Sequence, residues 1–289
     1  MRGKELAAYA ALCMIWSTTW VAIRIGVRYL PPFGFAAARF LIASALLGVI
    51  LLWRPPRSTS SPIPWASVVV CGVLQFGVSY GLVFWGEQYV AAGFASIIFA
   101  SIPLFIALIA RVMLGERLYP LKVLGVLVGF SGILLLFIRD IGENPADIWA
   151  GVGLVIGAIA SSLANVMIQR DQRNLDQTLN AAIQMILGTV CLFGVSAAME
   201  PGADYRWTLA SITSLLFLAL FGSTIAFLLY YWLLHRTTAM RASTIAFVAP
   251  LLTVVQGHVF LGEVLGWNHL AGGLLILAGS ALVIRQKGR

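Results

Sequence analysis

Charged residues are scarce in this chain of 289 residues: only 10% are Asp, Glu, Lys or Arg, whereas 60% are apolar or aromatic. A soluble domain carries about 25% charged residues, because its surface must be hydrated. The shortage of charge therefore excludes a soluble globular protein. The high apolar content excludes an intrinsically disordered chain.

Cysteine and histidine are also rare, with three residues of each. The cysteines lie singly in separate apolar runs, without the spacing of a disulfide framework or a metal site, and the histidines are scattered. The sequence contains no HExxH and has no paired carboxylates inside an apolar run. Its one GxSxG, at 77–81, lies inside a predicted membrane helix and not at the strand-to-helix turn that presents a hydrolase nucleophile. We therefore predict that the protein is not an enzyme and has no cofactor and no bound metal.

Apolar runs of about 20 residues recur along the whole chain, and each can cross the ~30 Å hydrocarbon core as a helix. The run that begins at Leu6 is too long for a signal peptide, so we expect it to be retained. The fold predicted is an all-α integral membrane protein of ten transmembrane helices, and the loops leave no room for a soluble domain. The predicted helices span residues 6–26, 33–53, 65–86, 91–113, 118–138, 149–169, 178–199, 209–233, 240–261 and 266–285.

Lys and Arg outnumber Asp and Glu by 19 to 11, but they lie in short clusters between the apolar runs rather than on one face. We therefore predict a lipid bilayer and no nucleic acid as partner. Most basic residues fall on the side that also holds both termini, whereas seven acids, including Glu87, fall in loops on the opposite side. The positive-inside rule then predicts a multi-pass protein of the plasma (bacterial inner) membrane with cytoplasmic termini.

An internal repeat appears when the sequence is shifted by 147 residues, which aligns 95–138 with 242–285 without a gap. Fourteen of the 44 aligned positions are identical, including Pro103 with Pro250 and the motif Leu-Gly-Glu at 114–116 and 261–263. Each repeat holds five predicted helices, 1–139 and 148–289. Because five is odd, the second repeat must have the inverted topology, an arrangement that recurs in secondary transporters that work by alternating access.

Several short motifs resemble one known family. They are Trp16-Ser17, Pro31-Pro32 followed by Arg39, Ala95-Ser96 with Pro103, and the Gly-Glu pairs at 115–116 and 262–263. The chain resembles the drug/metabolite transporter superfamily, in its ten-helix EamA-type exporter branch, over nearly its whole length. The resemblance implies two inverted five-helix halves, export, and a central cavity lined mainly by helices 1, 3, 4, 6, 8 and 9. Within that branch, the aromatic amino-acid exporters are the relatives we favour.

Candidate substrate-binding residues are aromatic or hydrogen-bonding side chains at mid-helix positions. Aromatic pairs one turn apart predict an apolar wall, although packing or lipid contact explains such residues equally well. Hydroxyl and amide groups near the midplane predict polar contacts with substrate, although they could instead join helices, as Asn180 and Gln184 could. The candidates are Trp16, Ser17, Trp20, Gln75, Ser79, Tyr80, Phe84, Phe99, Ser161, Asn165, Phe227, Tyr230 and Phe247.

Pro103 and Pro250 occupy equivalent positions near the centres of helices 4 and 9. A proline there removes a backbone hydrogen bond and frees the carbonyl four residues earlier, for example that of Phe99. We predict that both act as hinges. The alternative is that they only shape helix packing.

No Asp or Glu lies well inside a predicted helix, which disfavours proton coupling through a buried carboxylate. Arg39 lies about two turns inside helix 2, where it could snorkel outward, pair with a loop acid such as Glu87, or attract a substrate carboxylate. Snorkelling or a structural pair is the interpretation we favour.

These residues fit a substrate with a large apolar part and a neutral or zwitterionic head. We therefore predict a carrier that exports amino acids, most of all aromatic or large neutral ones; the alternative is a multidrug or general metabolite exporter. A channel is less consistent with the repeat. Glycines at 125, 129, 132, 272 and 279 predict close helix contacts, within one molecule or in a homodimer, and leave monomer or homodimer open.

Overall fold

The computed structural model describes residues 3–56, 62–116, 119–137, 145–234, 236 and 245–285, and every regular element in these ranges is helical. The helices are α1 (Gly3–Gly26), α2 (Pro32–Trp53), α3 (Trp65–Gly86), α4 (Ala92–Met113), α5 (Pro120–Phe137), α6 (Pro145–Asp171), α7 (Gln177–Met199), α8 (209–234), α9 (Ile245–Leu261) and α10 (Trp267–Arg285).

Seven of these helices, α1 to α4 and α6 to α8, are long and apolar enough to cross a membrane. An all-helical membrane protein is therefore confirmed. Helices α5, α9 and α10 are apolar but shorter in the described residues, so a total of ten spans stays a prediction. Where the helices are described, their ends lie within four residues of the predicted ends; 240–244 lie outside the described residues.

Two helices contain a stretch of wider π-helical turns that hydropathy did not predict. These stretches are Val73–Ser79 in α3 and Leu218–Ile225 in α8. They occupy matching positions in the two predicted halves, about 145 residues apart, and each contains a Phe-Gly pair, at 76–77 and 221–222. A π-helical turn displaces the side chains that follow it, and such turns are frequent at functional sites.

Helix α4 is interrupted, whereas α9 is continuous. The first part of α4 ends at Phe99, a turn follows at Ala100 and Ser101, and Pro103 then lies in the first turn of the second part, Ile102–Met113. Proline is tolerated there because its missing N–H has no partner within the helix. The prediction of a proline in mid-helix is thus wrong for Pro103, while Pro250 does lie inside an unbroken helix.

The turn in α4 exposes the Ala100 carbonyl, which a hydroxyl group from another helix satisfies. Ser280 of α10 donates to this carbonyl at 2.8 Å. Backbone polar groups at membrane depth require such partners, since water is not available to them.

Neighbouring helices occur in matched sets. Helix α1 packs on α9 as α6 packs on α4, α3 packs on α7 as α8 packs on α2, and α3 packs on α6 as α8 packs on α1. Three other close pairs, α2 with α7, α4 with α9 and α5 with α10, join corresponding helices of the two predicted halves. These contacts are preserved when each helix number is advanced by five, whereas the contacts of α4 with α1 and with α10 have no counterpart of similar extent in the described residues.

The glycines of α5 and α10 face each other within one chain. A Cβ atom added at Gly125 would lie 2.7 Å from the Gly279 carbonyl oxygen, and one added at Gly132 would lie 2.6 Å from that of Gly272. Real Cβ atoms do not approach so closely, so these glycines are needed for the contact. These glycines therefore form a contact between two helices of the same chain.

Candidate functional site

A cavity of about 290 Å³ lies at the centre of the helical bundle. It is lined by α1, α3, α4, α6, α8 and α9, the same six helices that the resemblance implies. Its volume is near the lower end of the range of about 300 to 1,000 Å³ that small-molecule sites occupy. We refer to it as the central cavity.

Aromatic side chains form two walls of the central cavity. The Trp16 and Tyr230 rings lie 5.3 Å apart between centroids, and the Trp20 and Phe99 rings meet edge to face at 5.2 Å. Tyr80 completes the lining, with Phe76 stacked behind it at 5.9 Å. Such offset and edge contacts are the favoured geometries of aromatic pairs, so the walls are well packed before any ligand enters.

Polar groups on the cavity wall come mainly from α1, α3, α4 and α6. The Ser161 hydroxyl donates to the Gln75 side-chain oxygen at 3.0 Å, which leaves the amide protons of Gln75 for another acceptor. No charged side chain of the described residues lines the cavity. A neutral or zwitterionic ligand therefore suits it better than a strongly charged one.

Seven of the predicted substrate-binding residues line the central cavity, and one predicted hinge, Pro250, joins them. The seven are Trp16, Trp20, Gln75, Tyr80, Phe99, Ser161 and Tyr230. Pro103 is not among the lining residues. The Phe247 side chain lies outside the described residues.

Three predicted polar residues lie elsewhere. Ser17 is buried against α9, where it accepts a hydrogen bond from Gln256 at 3.1 Å and donates to the Met14 carbonyl. Asn165 is exposed and donates to the Ser161 carbonyl at 2.8 Å, one turn back on the same helix. Ser79 is buried at the end of the α3 π-helical segment and does not reach the cavity surface.

The two remaining aromatic candidates contribute to packing. Phe84 is fully buried and meets Phe35 edge to face at 5.1 Å. Phe227 lies 6.4 Å from Phe76, in the layer behind Tyr80. Tyr80 and Tyr230, and not their neighbours Phe84 and Phe227, therefore supply the aromatic lining from α3 and α8.

The cavity also contains residues that sequence reasoning missed, including Thr19, Ile23, Val83, Ser96 and Ala246. A signal existed for α1, since residues 16, 19, 20 and 23 repeat at helical spacing on one face. For α4 the signal was the repeated Ala-Ser pair, which was used to identify the family but not to place the serine.

Asn180 and Gln184 of α7 belong to a buried polar network centred on Gln172. The Gln172 side-chain oxygen accepts from both amides at 2.9 Å, and its amide donates to Ser67 at 2.9 Å. This network joins α3, the segment after α6 and α7. It lies apart from the central cavity, so these residues act as contacts between helices.

Arg39 is buried, so the snorkelling part of the favoured interpretation is wrong. Its Nε donates to the Ser223 hydroxyl at 3.0 Å, in the π-helical segment of α8. Its guanidinium lies 5.1 Å from the Tyr80 ring centroid, on the far side of a residue that lines the cavity. Aromatic contacts of this kind help to offset the cost of burying the charge.

The two Leu-Gly-Glu motifs end α4 and α9 with the same turn. Gly115 and Gly262 have φ near +70°, the left-handed conformation that glycine adopts readily. The N–H of Glu116 bonds to the Ala110 carbonyl, and that of Glu263 to the Gly257 carbonyl, as in a Schellman motif. The motif therefore stops the helix and directs a glutamate away from it.

The two glutamates differ in their partners. Glu263 accepts hydrogen bonds from the Ala92 and Gly93 N–H groups, at 2.9 and 3.3 Å, and so caps the start of α4. Glu116 is exposed and pairs with Lys122 at 3.6 Å. At one end of the molecule the Leu-Gly-Glu motif therefore links the two predicted halves through Glu263. At the other end its glutamate, Glu116, contacts a residue of its own half.

We call the end that carries Glu87, Glu200 and Glu263 the acidic end. There the Glu200 carboxylate accepts from the Phe33 and Gly34 N–H groups at 2.9 and 3.0 Å and caps α2 as Glu263 caps α4. Anionic side chains stabilise helix N-termini, where backbone N–H groups lack partners. Val27, Val90 and Phe94 are also buried there, so the helices pack closely at the acidic end, and we refer to this end as closed.

Glu87 departs most from the sequence-based expectation. It follows the last residue of α3, as predicted for a loop acid, but its side chain is completely buried. Neither carboxyl oxygen has a hydrogen-bond partner. Glu87 thus lies outside the helix, as predicted, but the sequence did not indicate that its side chain is buried.

Known proteins resemble the chain over nearly its full length. The model of the EamA-like transporter family matches residues 4–138 and 148–285. The chain is similar to the uncharacterized transporter YvbV of Bacillus subtilis, with 30% identity over 95% of this chain and 89% of that protein. It is also similar to the uncharacterized inner membrane transporter YedA of Escherichia coli, with 31% identity over 96% and 91%.

A solved crystal structure has the same fold. Its TM-score is 0.66 at 21% identity, and the match covers 98% of this chain and 96% of that chain. Apolar helices of spanning length, a central cavity and a family match over both predicted halves lead to one conclusion. The chain is a multi-pass membrane protein that belongs to the EamA-like transporter family.

Proposed function

We propose that the protein is a secondary transporter that exports amino acids, most of all aromatic or large neutral ones, across the bacterial inner membrane. The substrate binds in the central cavity, which opens alternately to the two sides. The acidic end faces outward and both termini face the cytoplasm. Export and orientation are supported by the family resemblance and by the charge asymmetry of the loops.

The chemistry of the central cavity is the observation that carries the choice of substrate. Five aromatic rings can bury an aromatic or large apolar side chain, while Gln75, Ser161 and Ser96 offer hydrogen bonds to an ammonium and a carboxylate group. A zwitterion has no net charge, so it needs no charged residue on the wall. A lipophilic cation would gain from the aromatic faces but would leave these polar groups unused.

Alternating access is supported by the relation between the two predicted halves. Several of the main helix contacts repeat when each helix number is advanced by five, and the π-helical segments of α3 and α8 correspond. The family match in two consecutive segments is consistent with the same division. Halves of inverted topology can exchange conformations, which opens one end while it closes the other.

Transport into liposomes tests the proposal. Purified protein is reconstituted, and saturable uptake of Phe, Tyr and Trp is compared with that of Leu, Thr and a lipophilic cation. We expect saturable flux for the aromatic amino acids above the others. Flux of the cation alone would favour the multidrug alternative, and flux that does not saturate would favour a channel.

Substitution of Trp20 tests the cavity itself. Trp20→Ala removes a ring that packs edge to face on Phe99 at the cavity wall. An aromatic contact of this kind contributes about 0.5 to 1.5 kcal/mol beyond its buried area, so we expect KM for Phe to rise about 2-fold to 13-fold. Trp207→Ala is the matched control, because Trp207 is exposed outside the cavity. Equal effects of both substitutions would contradict the proposed site.

A further inference from the structure

Glu87 is the one glutamate of the described residues that is completely buried with both carboxyl oxygens unpartnered. It lies at the acidic end, five residues before Ala92, whose N–H is bound by Glu263. Burying an ionised carboxylate without hydrogen bonds is very unfavourable, whereas the protonated acid is neutral. The surroundings therefore favour the protonated form.

The charged groups around Glu87 do not restore an ion pair. Arg24 of α1 donates through Nη1 to the Glu87 backbone carbonyl rather than to its carboxylate, and Arg39 of α2 is bound to α8. Glu263 of the loop before α10 adds a like charge, while Asp147 of α6 acts on Arg24. Neither arginine nitrogen lies within ion-pair distance of the carboxylate.

Burial is the main cause that raises the pKa of the Glu87 carboxyl well above its ordinary value. The positive charge of Arg24 lowers this pKa, and the negative charge of Glu263 raises it by a smaller amount. A raised pKa in the closed end means that closure binds a proton which an open, hydrated end would release.

The burial of Glu87 depends on the contact between the two predicted halves. Glu263 belongs to the second half and caps α4 of the first half, next to the loop that carries Glu87. Opening the acidic end must separate these elements and admit water to Glu87. We propose that Glu87 is a proton-binding site that controls the acidic end, protonated when this end is closed and ionised when it is open.

The proposal rests on the proposed function in one respect, that the two ends open alternately. The direction of the pH effect follows from the linkage between proton binding at Glu87 and opening of the acidic end. Below the ordinary pKa of a glutamate both states are protonated, and pH has no effect on opening. Above that value the open state loses its proton first, so the ratio of open to closed molecules rises by up to about tenfold per pH unit, until the raised pKa of the closed state is passed.

Thiol labelling from the acidic side measures this ratio. Cys13, Cys71 and Cys191 are replaced by alanine, and Ser96→Cys places one reporter on the cavity wall. A membrane-impermeant thiol reagent is applied to proteoliposomes from the side of the acidic end at a series of pH values. Each labelling rate is divided by the rate of the same reporter in the Glu87→Gln variant at the same pH. This division removes the pH dependence of the thiol reaction itself.

We expect the ratio of the two rates to rise with pH by up to about tenfold per unit above the ordinary glutamate range. Glu87→Asp, which keeps a carboxyl group, retains a pH dependence. Asp204→Asn, an exposed acid at the same end, leaves the dependence of the parent unchanged. In Glu87→Gln the reporter stays protected, because the neutral amide resembles the protonated acid.

A ratio that does not change with pH overturns the proton-binding site while leaving alternating access in place. Labelling that is absent from this side in every variant overturns alternating access, and the proposal with it. Substrate flux is measured separately, so a wrong choice of substrate changes neither result.

Discussion

The contact between Glu263 and the start of α4 leads to a quantitative prediction. Glu263→Gln keeps the shape of the side chain but removes its charge and one of its two acceptor oxygens. A hydrogen bond to a charged group contributes about 1.5 to 3 kcal/mol, and an anion at a helix N-terminus about 0.3 to 1 kcal/mol. We expect the closed acidic end to lose about 1.5 to 3 kcal/mol relative to the open one.

This loss corresponds to an increase of about 10-fold to 100-fold in the ratio of open to closed molecules. The same Ser96→Cys reporter measures it as a faster labelling rate from the acidic side, at a fixed pH. The melting temperature in detergent shows whether the variant is still folded. Because both states remain folded, a large increase in labelling is expected with a small change in melting temperature.

Glu116→Gln is the matched control. Glu116 follows the same Leu-Gly motif, but it is exposed and its pair with Lys122 spans 3.6 Å. A surface ion pair of this kind contributes about 0 to 1 kcal/mol. We expect the labelling from the acidic side to stay close to that of the parent. Equal labelling of the Glu263 and Glu116 variants would show that the cap does not hold the acidic end closed.

Two further predictions concern stability. Gly132→Val should lower the melting temperature strongly, since its side chain would collide with the α10 backbone, and overpacking costs about 1 to 3 kcal/mol; Gly194→Val, in open space, should not. Gln172→Ala should cost about 1 to 3 kcal/mol, because it leaves buried amides without partners; Gln88→Ala, at an exposed position, should change little. Thermal unfolding in detergent measures both pairs, and equal melting temperatures within a pair would contradict the prediction.

The sequence predicted the helices well because their signal is local. A run of apolar residues that ends at charged or proline residues defines a span, and α3 begins and ends at its predicted residues. The aromatic face of α1 was also local, since Trp16 and Trp20 are one turn apart. These features depend on neighbours along the chain and need no knowledge of tertiary contacts.

What the sequence did not predict depends on contacts between helices. Hydropathy places Glu87 after a span but does not indicate that other helices cover it. Ser17 has the right depth for a substrate contact, yet Gln256 of α9 occupies its hydroxyl. No local pattern used in the prediction distinguishes the π-helical segments at 73–79 and 218–225 from an ordinary α-helix.

The unequal behaviour of Pro103 and Pro250 has a cause in the residues around them. The turn in α4 is stabilised by the hydroxyl of Ser280, which satisfies the exposed Ala100 carbonyl. The position equivalent to Ser280 in the first half is Ile133, which has no hydrogen to donate. Helix α9 thus lacks one of the donors that a similar turn would need, since an unsatisfied carbonyl at membrane depth is costly. The turn in α4 therefore has a cause in the neighbouring helix α10 that the corresponding region of α9 lacks.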